Sequence, residues 1–112
     1  MSENSFNFTN VVYKFRGKNG EVFFNKDDQI HIRRWGWFDI PYQFFTQGST
    51  LFTVDELEEI VIQEPGMMRG YIDFKLKGGK RKGRVWLTNM YQKMLADDMK
   101  KRIDHRMRKL DK

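Results

Sequence analysis

The sequence predicts a mainly β, α+β domain: a strongly bent antiparallel β-barrel capped by one C-terminal amphipathic α-helix. Up to about residue 88, short segments alternate apolar and polar side chains, and turn signals such as Asn19-Gly20 and Gly78-Gly79 separate them. From about Asn89 the apolar residues follow a helical period instead. A bent sheet provides an apolar mouth that can bury one stripe of such a helix, so we expect the helix to close the barrel.

Length and composition predict one small domain. The chain has 112 residues, no cysteine, and no stretch that approaches the roughly 18 apolar residues of a membrane-spanning helix. We expect a flexible tail over residues 1–10 and a single domain over residues 11–112. The lack of cysteine and of an export signal favours a cytoplasmic location.

The first three strands are predicted from alternation around two turns. Residues 11–25 alternate about Asn19-Gly20, a pair that tolerates the backbone angles of a two-residue primed turn. A turn centred there places Phe15 opposite Phe24. Alternation over residues 29–33 predicts the third strand.

The middle of the chain is less regular. Residues 35–45 contain six aromatic side chains interrupted by Gly36 and Pro41, which predicts a bent connection rather than one strand. Residues 53–56 have the sequence of a capping box, so we expect one helical turn before a strand at residues 60–62.

Residues 71–88 predict a second hairpin with a basic tip. Alternation on both arms favours a register in which four pairs face each other: Lys77 with Arg84, Leu76 with Val85, Lys75 with Trp86, and Phe74 with Leu87. A slip by one residue would place apolar side chains opposite charged ones.

The C-terminal segment predicts an amphipathic helix of about twenty residues. Its apolar stripe repeats every four residues and comprises Tyr91, Leu95, Met99, Ile103 and Met107, joined by Met94 and Leu110. Its opposite face is basic and includes Lys100, Lys101, Arg102, Arg106 and Arg108.

With these elements the chain resembles the bacterial pleckstrin-homology-like domains. The resemblance is carried by residues 57–65, 70–74 and 85–89, the basic hairpin and the final helix. It implies a seven-stranded bent barrel closed by the helix, and no enzymatic activity. Some eukaryotic pleckstrin-homology domains bind phosphoinositides near the first hairpin, and Lys14, Arg16 and Lys18 are similar to that arrangement.

Charge is divided unevenly along the chain. Residues 75–112 carry 14 Lys and Arg against 4 Asp and Glu, whereas residues 1–74 carry 7 against 11. Such segregation favours contact with an anionic surface. The candidates for binding an anion or nucleic acid are Lys75, Lys77, Lys80, Arg81, Lys82, Arg84 and Trp86. A charged tip that only keeps the hairpin soluble is the alternative interpretation.

A protein-docking surface is the competing hypothesis, and we expect a protein partner. Aromatic residues and methionine are common at interfaces, and the candidates are Trp35, Trp37, Phe38, Tyr42, Met67 and Met68. The alternatives left open are nucleic-acid binding, inhibition of a nucleic-acid enzyme by a mobile-element protein, an anionic lipid headgroup, and homo-oligomerisation.

No catalytic motif is evident. His31 lies in a predicted strand and His105 in the predicted helix, and nothing in the sequence brings them together. Gly78-Gly79 does not belong to a phosphate-binding loop motif. The acidic run Asp55 to Glu59 is typical of a solvated face, so we expect no enzyme, metal or cofactor.

Overall fold

The computed structural model describes residues 6–34, 48–79 and 81–110, with the side chains of 48, 49 and 81–83 excepted. Seven strands precede one long helix, α1: β1 Val11–Arg16, β2 Gly20–Asn25, β3 Gln29–Arg34, β4 Gly48–Thr53, β5 Leu57–Gln63, β6 Gly70–Leu76, β7 Arg81–Leu87 and α1 Met90–Leu110. Short 3₁₀ turns lie at Phe8–Asn10 and Val54–Glu56. The mainly β prediction with a C-terminal helix is confirmed.

The strands form two antiparallel sheets. Sheet A has the order β1-β2-β3-β4, and sheet B has the order β5-β6-β7. The predicted closed barrel is wrong for the described residues, because no ladder joins the two sheets. The sheets meet face to face through apolar side chains instead.

The core lies between the sheets and beneath α1. Alternate positions of each strand supply it, as period-two patterning requires. The fully buried members include Ile30 and Ile32 of sheet A, Ile72 and Phe74 of sheet B, and Met99 of α1. The helix packs against both sheets, on β1 of sheet A and on β5, β6 and β7 of sheet B.

The tip of the β1–β2 hairpin bridges sheet A to the edge of β7. The Lys18 backbone N–H donates to the Trp86 carbonyl at 2.7 Å. The Asn19 side chain accepts from the Trp86 N–H at 2.8 Å and donates to the Arg84 carbonyl at 3.2 Å. These three bonds satisfy part of the β7 edge and connect the two sheets there without forming a ladder.

The register of the first hairpin differs from the prediction. Phe15 lies opposite Val22, and Phe24 lies opposite Tyr13. Neither Asn19 nor Gly20 has a positive φ, so Asn19-Gly20 is not a primed turn. Because the shift is two residues, each side chain keeps its predicted face.

The second hairpin is also tighter than predicted. Trp86 lies opposite Tyr71 rather than Lys75, and Lys75 lies opposite Arg81. The turn is made by Gly78 and Gly79, whose φ values of 92° and 89° favour glycine. The predicted register is therefore wrong by four residues over Gly70–Asp73 and, beyond an irregularity between Asp73 and Lys75, by five at Lys75.

Helix α1 begins and ends close to its predicted bounds, but the apolar stripe is narrower. Met99 and Ile103 are buried together with Ala96, whereas Tyr91 and Met94 are exposed. A spacing of four residues advances about 40° per step around a helix, so a long four-residue stripe cannot face one core. Among the described helices, none is long and apolar enough to cross a membrane.

The 3₁₀ turn Val54–Glu56 confirms the predicted capping box between Thr53 and Glu56. The following strand begins at Leu57, earlier than predicted. At the other end of the chain, residues 6–10 of the predicted tail lie against sheet A. Phe6 stacks on His31 with ring centroids 5.3 Å apart.

Candidate functional site

An open groove lies where the β1–β2 tip, the β5–β6 loop and the start of α1 meet. Its volume is about 590 Å³. The side chains that define it are Lys18, Met67, Met68, Arg69, Trp86 and Met90. We call it the methionine groove. It brings together Met67 and Met68, which were predicted to dock a protein, and Trp86, which was predicted to bind an anion.

The β5–β6 loop presents the two methionines to solvent. The Gly66 N–H donates to the Met68 carbonyl at 3.0 Å and closes a tight turn. Gly70 lies so close to Pro65 that a Cβ atom would be 2.7 Å from the proline nitrogen. The backbone of the loop therefore packs closely where Gly70 meets Pro65. Met67 is fully exposed and Met68 is 71% exposed.

Trp86 forms part of the groove and is held by neighbours from two strands. Its ring makes an edge contact with Tyr71 at 6.0 Å between centroids. The guanidinium of Arg69 lies 5.1 Å from the Trp86 ring centroid, and that of Arg84 lies 5.5 Å from it. Such cation–π contacts orient the indole and keep Arg69 at the rim of the groove.

Arg84 is bound within its own sheet. Its guanidinium lies 3.9 Å from the Tyr71 ring centroid and donates to the buried Asp73 carboxylate at 3.0 Å. Of the other predicted anion-binding residues, Lys75 is half-buried and Lys77 is exposed. Lys80 and the side chains of Arg81 and Lys82 lie outside the described residues.

Several cations of the α1 basic face also have carboxylate partners. Lys100 lies 2.8 Å from Asp104, and Arg102 lies 3.6 Å from Asp98. Arg106 makes two hydrogen bonds to Asp28 in the β2–β3 turn, at 2.7 and 2.8 Å.

The hydrogen bonds to Asp28, followed by the charge of that carboxylate, raise the pKa of Arg106. Lys101 and Arg108 are exposed and have no ion-pair partner among the described residues.

The predicted aromatic docking residues Trp35, Trp37, Phe38 and Tyr42 lie outside the described residues. Sequence reasoning missed Met90 and Arg69 as members of the site. Arg69 follows the methionine pair directly, and Met90 is the first residue of α1. Only the fold shows that these two segments are neighbours.

The two histidines do not form a joint site. His31 is buried beside Phe6, Phe8 and Phe23, whereas His105 is exposed on α1. Within residues 6–34, 48–79 and 81–110, no three His, Asp or Glu side chains are grouped as metal ligands would be.

Comparison with protein-family models, with curated proteins and with solved structures finds no match to this chain. The geometry of the surface is therefore the observation that indicates a function.

Proposed function

We propose that this chain is a non-enzymatic protein-binding module whose docking site is the methionine groove. The observation that carries the proposal is the exposure of Met67 and Met68 next to Trp86 in one concave surface. Flexible thioether side chains adapt to varied partners, and tryptophan is a frequent energetic anchor of interfaces. A monomeric protein gains nothing in stability from exposing such side chains together.

The contacts of the basic hairpin favour this function over nucleic-acid binding. A base that stacked on Trp86 would compete with Arg69 and Tyr71, which already contact the ring. A phosphate near Arg84 would compete with Asp73. The groove, in contrast, presents its methionines to solvent, and no other side chain of the described residues fills it.

The pleckstrin-homology-like architecture remains part of the proposal. It is supported by the division into four and three antiparallel strands and by a C-terminal helix that packs against both sheets. A domain of this kind acts by presenting surfaces to partners, which agrees with a docking role.

The test is a tagged pull-down from the native host, with and without nuclease, using the full chain. We expect a stoichiometric protein partner that survives nuclease and is lost from the Met67→Ser, Met68→Ser double variant. The matched control is Val12→Ser with Leu110→Ser, which removes exposed apolar side chains elsewhere and should retain the partner. Recovery of nucleic acid alone, unaffected by the methionine changes, would contradict the proposal.

A further inference from the structure

The charge of the methionine groove indicates what kind of partner it fits. Among the described residues that line it, Lys18 and Arg69 are basic and none is acidic. The nearest acidic residue along the β5–β6 loop, Glu64, lies 4.0 Å from Lys93 of α1. The groove therefore combines apolar walls with a positive rim.

Arg69 differs from most of the cations on α1. Lys93, Lys100, Arg102 and Arg106 each have a carboxylate within 4.0 Å. Arg69 is exposed, contacts the Trp86 ring and has no ion-pair partner within the described part of the chain. A guanidinium above an indole keeps its outer N–H groups available to a carboxylate, which it can bind with two parallel hydrogen bonds.

We infer that the occupant of the groove is an acidic protein segment with an apolar anchor residue. The inference rests on the proposed docking function. The anchor would pack among Met67, Met68 and Met90, and a neighbouring Asp or Glu would pair with Arg69 at the rim. A concave surface admits a single segment of chain, whereas a flat bilayer would touch only the exposed methionines. The volume of about 590 Å³ accommodates a few side chains.

The test is selection of random twelve-residue peptides displayed on phage against the immobilised full-length chain. We expect the enriched peptides to combine a large apolar residue with Asp or Glu within two or three positions. A synthetic peptide from that set should bind about tenfold more weakly to Arg69→Glu, and measurably more weakly to Arg69→Gln. The charge-reversal control Lys26→Glu, in the β2–β3 turn, should leave the affinity unchanged.

The outcomes separate the inference from the function on which it rests. Enriched peptides that need Met67 and Met68 but carry no acidic residue would overturn the inference and leave the docking function standing. Peptides that bind equally well to the Met67→Ser, Met68→Ser variant, or no enrichment at all, would overturn both. Methionine-dependent binding to phosphatidylserine vesicles or to oligo(dT), without peptide enrichment, would also overturn both and assign the surface to a lipid or a nucleic acid. Circular dichroism of each variant confirms that it is folded.

Discussion

At the scale of single residues, Gly17 shows how closely the β1–β2 tip approaches β7. A Cβ atom at this position would lie 2.6 Å from the Trp86 carbonyl oxygen and 2.4 Å from a methyl carbon of Val85. The same Trp86 carbonyl oxygen accepts the hydrogen bond from the Lys18 N–H, so it cannot move away without loss of that bond. Gly17 is therefore required by the contact between the sheets.

We predict that Gly17→Ala lowers the free energy of unfolding by about 1–3 kcal/mol, the range of an overpacked core site. Gly66→Ala is the matched control, because no atom lies within 4 Å of the added Cβ, and its effect should stay within about 0.5 kcal/mol. Urea denaturation measures both. Equal stability of the two variants would show that the tip can move away from β7.

His31 links stability to pH. Burial, followed by the charge of Arg33, lowers the pKa of His31 below its usual value of 6.5. The folded chain then binds fewer protons than the unfolded chain between the two pKa values. Neutral His31 therefore makes its full contribution to the free energy of unfolding above pH 6.5. This contribution is lost as the pH falls from there towards the folded-state pKa of His31.

We predict that the free energy of unfolding falls between pH 7.5 and pH 5.5, and that His31→Phe reduces this fall. Phenylalanine suits the aromatic neighbours of His31 and does not titrate. Denaturation at both pH values, with the exposed His105→Gln as control, measures the difference. A fall of the same size in wild type and His31→Phe would assign the pH dependence to other groups.

At the scale of elements, alternation determined which face of a strand is buried but not which residues pair. The buried faces of both hairpins were predicted correctly, yet their registers differ from the prediction by two and by four residues over most of each ladder. An even shift leaves every side chain on its face, so the apolar pattern cannot distinguish the alternatives. The turns determine the register instead. Gly78 and Gly79 adopt positive φ in the second hairpin, and the Asn19 side chain of the first hairpin accepts a hydrogen bond from β7.

We predict that Gly79→Ala costs roughly 1 kcal/mol, because a φ of 89° is unfavourable for any residue with a Cβ. No atom lies within 4 Å of that Cβ, so the cost would be one of backbone conformation rather than crowding. Thermal unfolding of this variant beside Gly66→Ala, which has neither a positive φ nor a close neighbour, isolates the effect. A neutral Gly79→Ala would mean that the turn can change type.

Two methionines of α1 show the difference between the buried and the exposed side of the helix. Met99 is fully buried, whereas Met94, about 140° away around the helix, is 62% exposed. We predict that Met99→Ala lowers the free energy of unfolding by about 2–5 kcal/mol and that Met94→Ala changes it by less than about 0.5 kcal/mol. Urea denaturation compares them. A large loss from Met94→Ala would show that this side of α1 is covered.

At the scale of the whole molecule, the sequence pointed to three side chains of the candidate groove but not to their proximity. Met67, Met68 and Trp86 were each recognised as surface candidates, but for two different functions. Their proximity depends on the β1–β2 tip and on the start of α1, which are distant in sequence. No sequence motif predicts that these segments meet. Likewise, the basic face of α1 was evident, but its pairing with Asp28 could be found only from the fold.

Internal pairing also determines where the net charge of +6 acts. Because Lys100 and Arg102 have carboxylate partners, we predict that polyanion attraction comes mainly from the basic hairpin. Two triple variants each bring the formal net charge to 0: Lys77→Glu with Lys80→Glu and Lys82→Glu in the hairpin, and Lys100→Glu with Lys101→Glu and Arg102→Glu in α1. Fluorescence anisotropy with oligo(dT) across a salt series measures the slope of log affinity against log salt concentration. The magnitude of this slope should fall by about 2 in the hairpin variant and by less in the helix variant. Equal reductions would show that long-range net charge, rather than the position of the cations in the hairpin, controls the attraction.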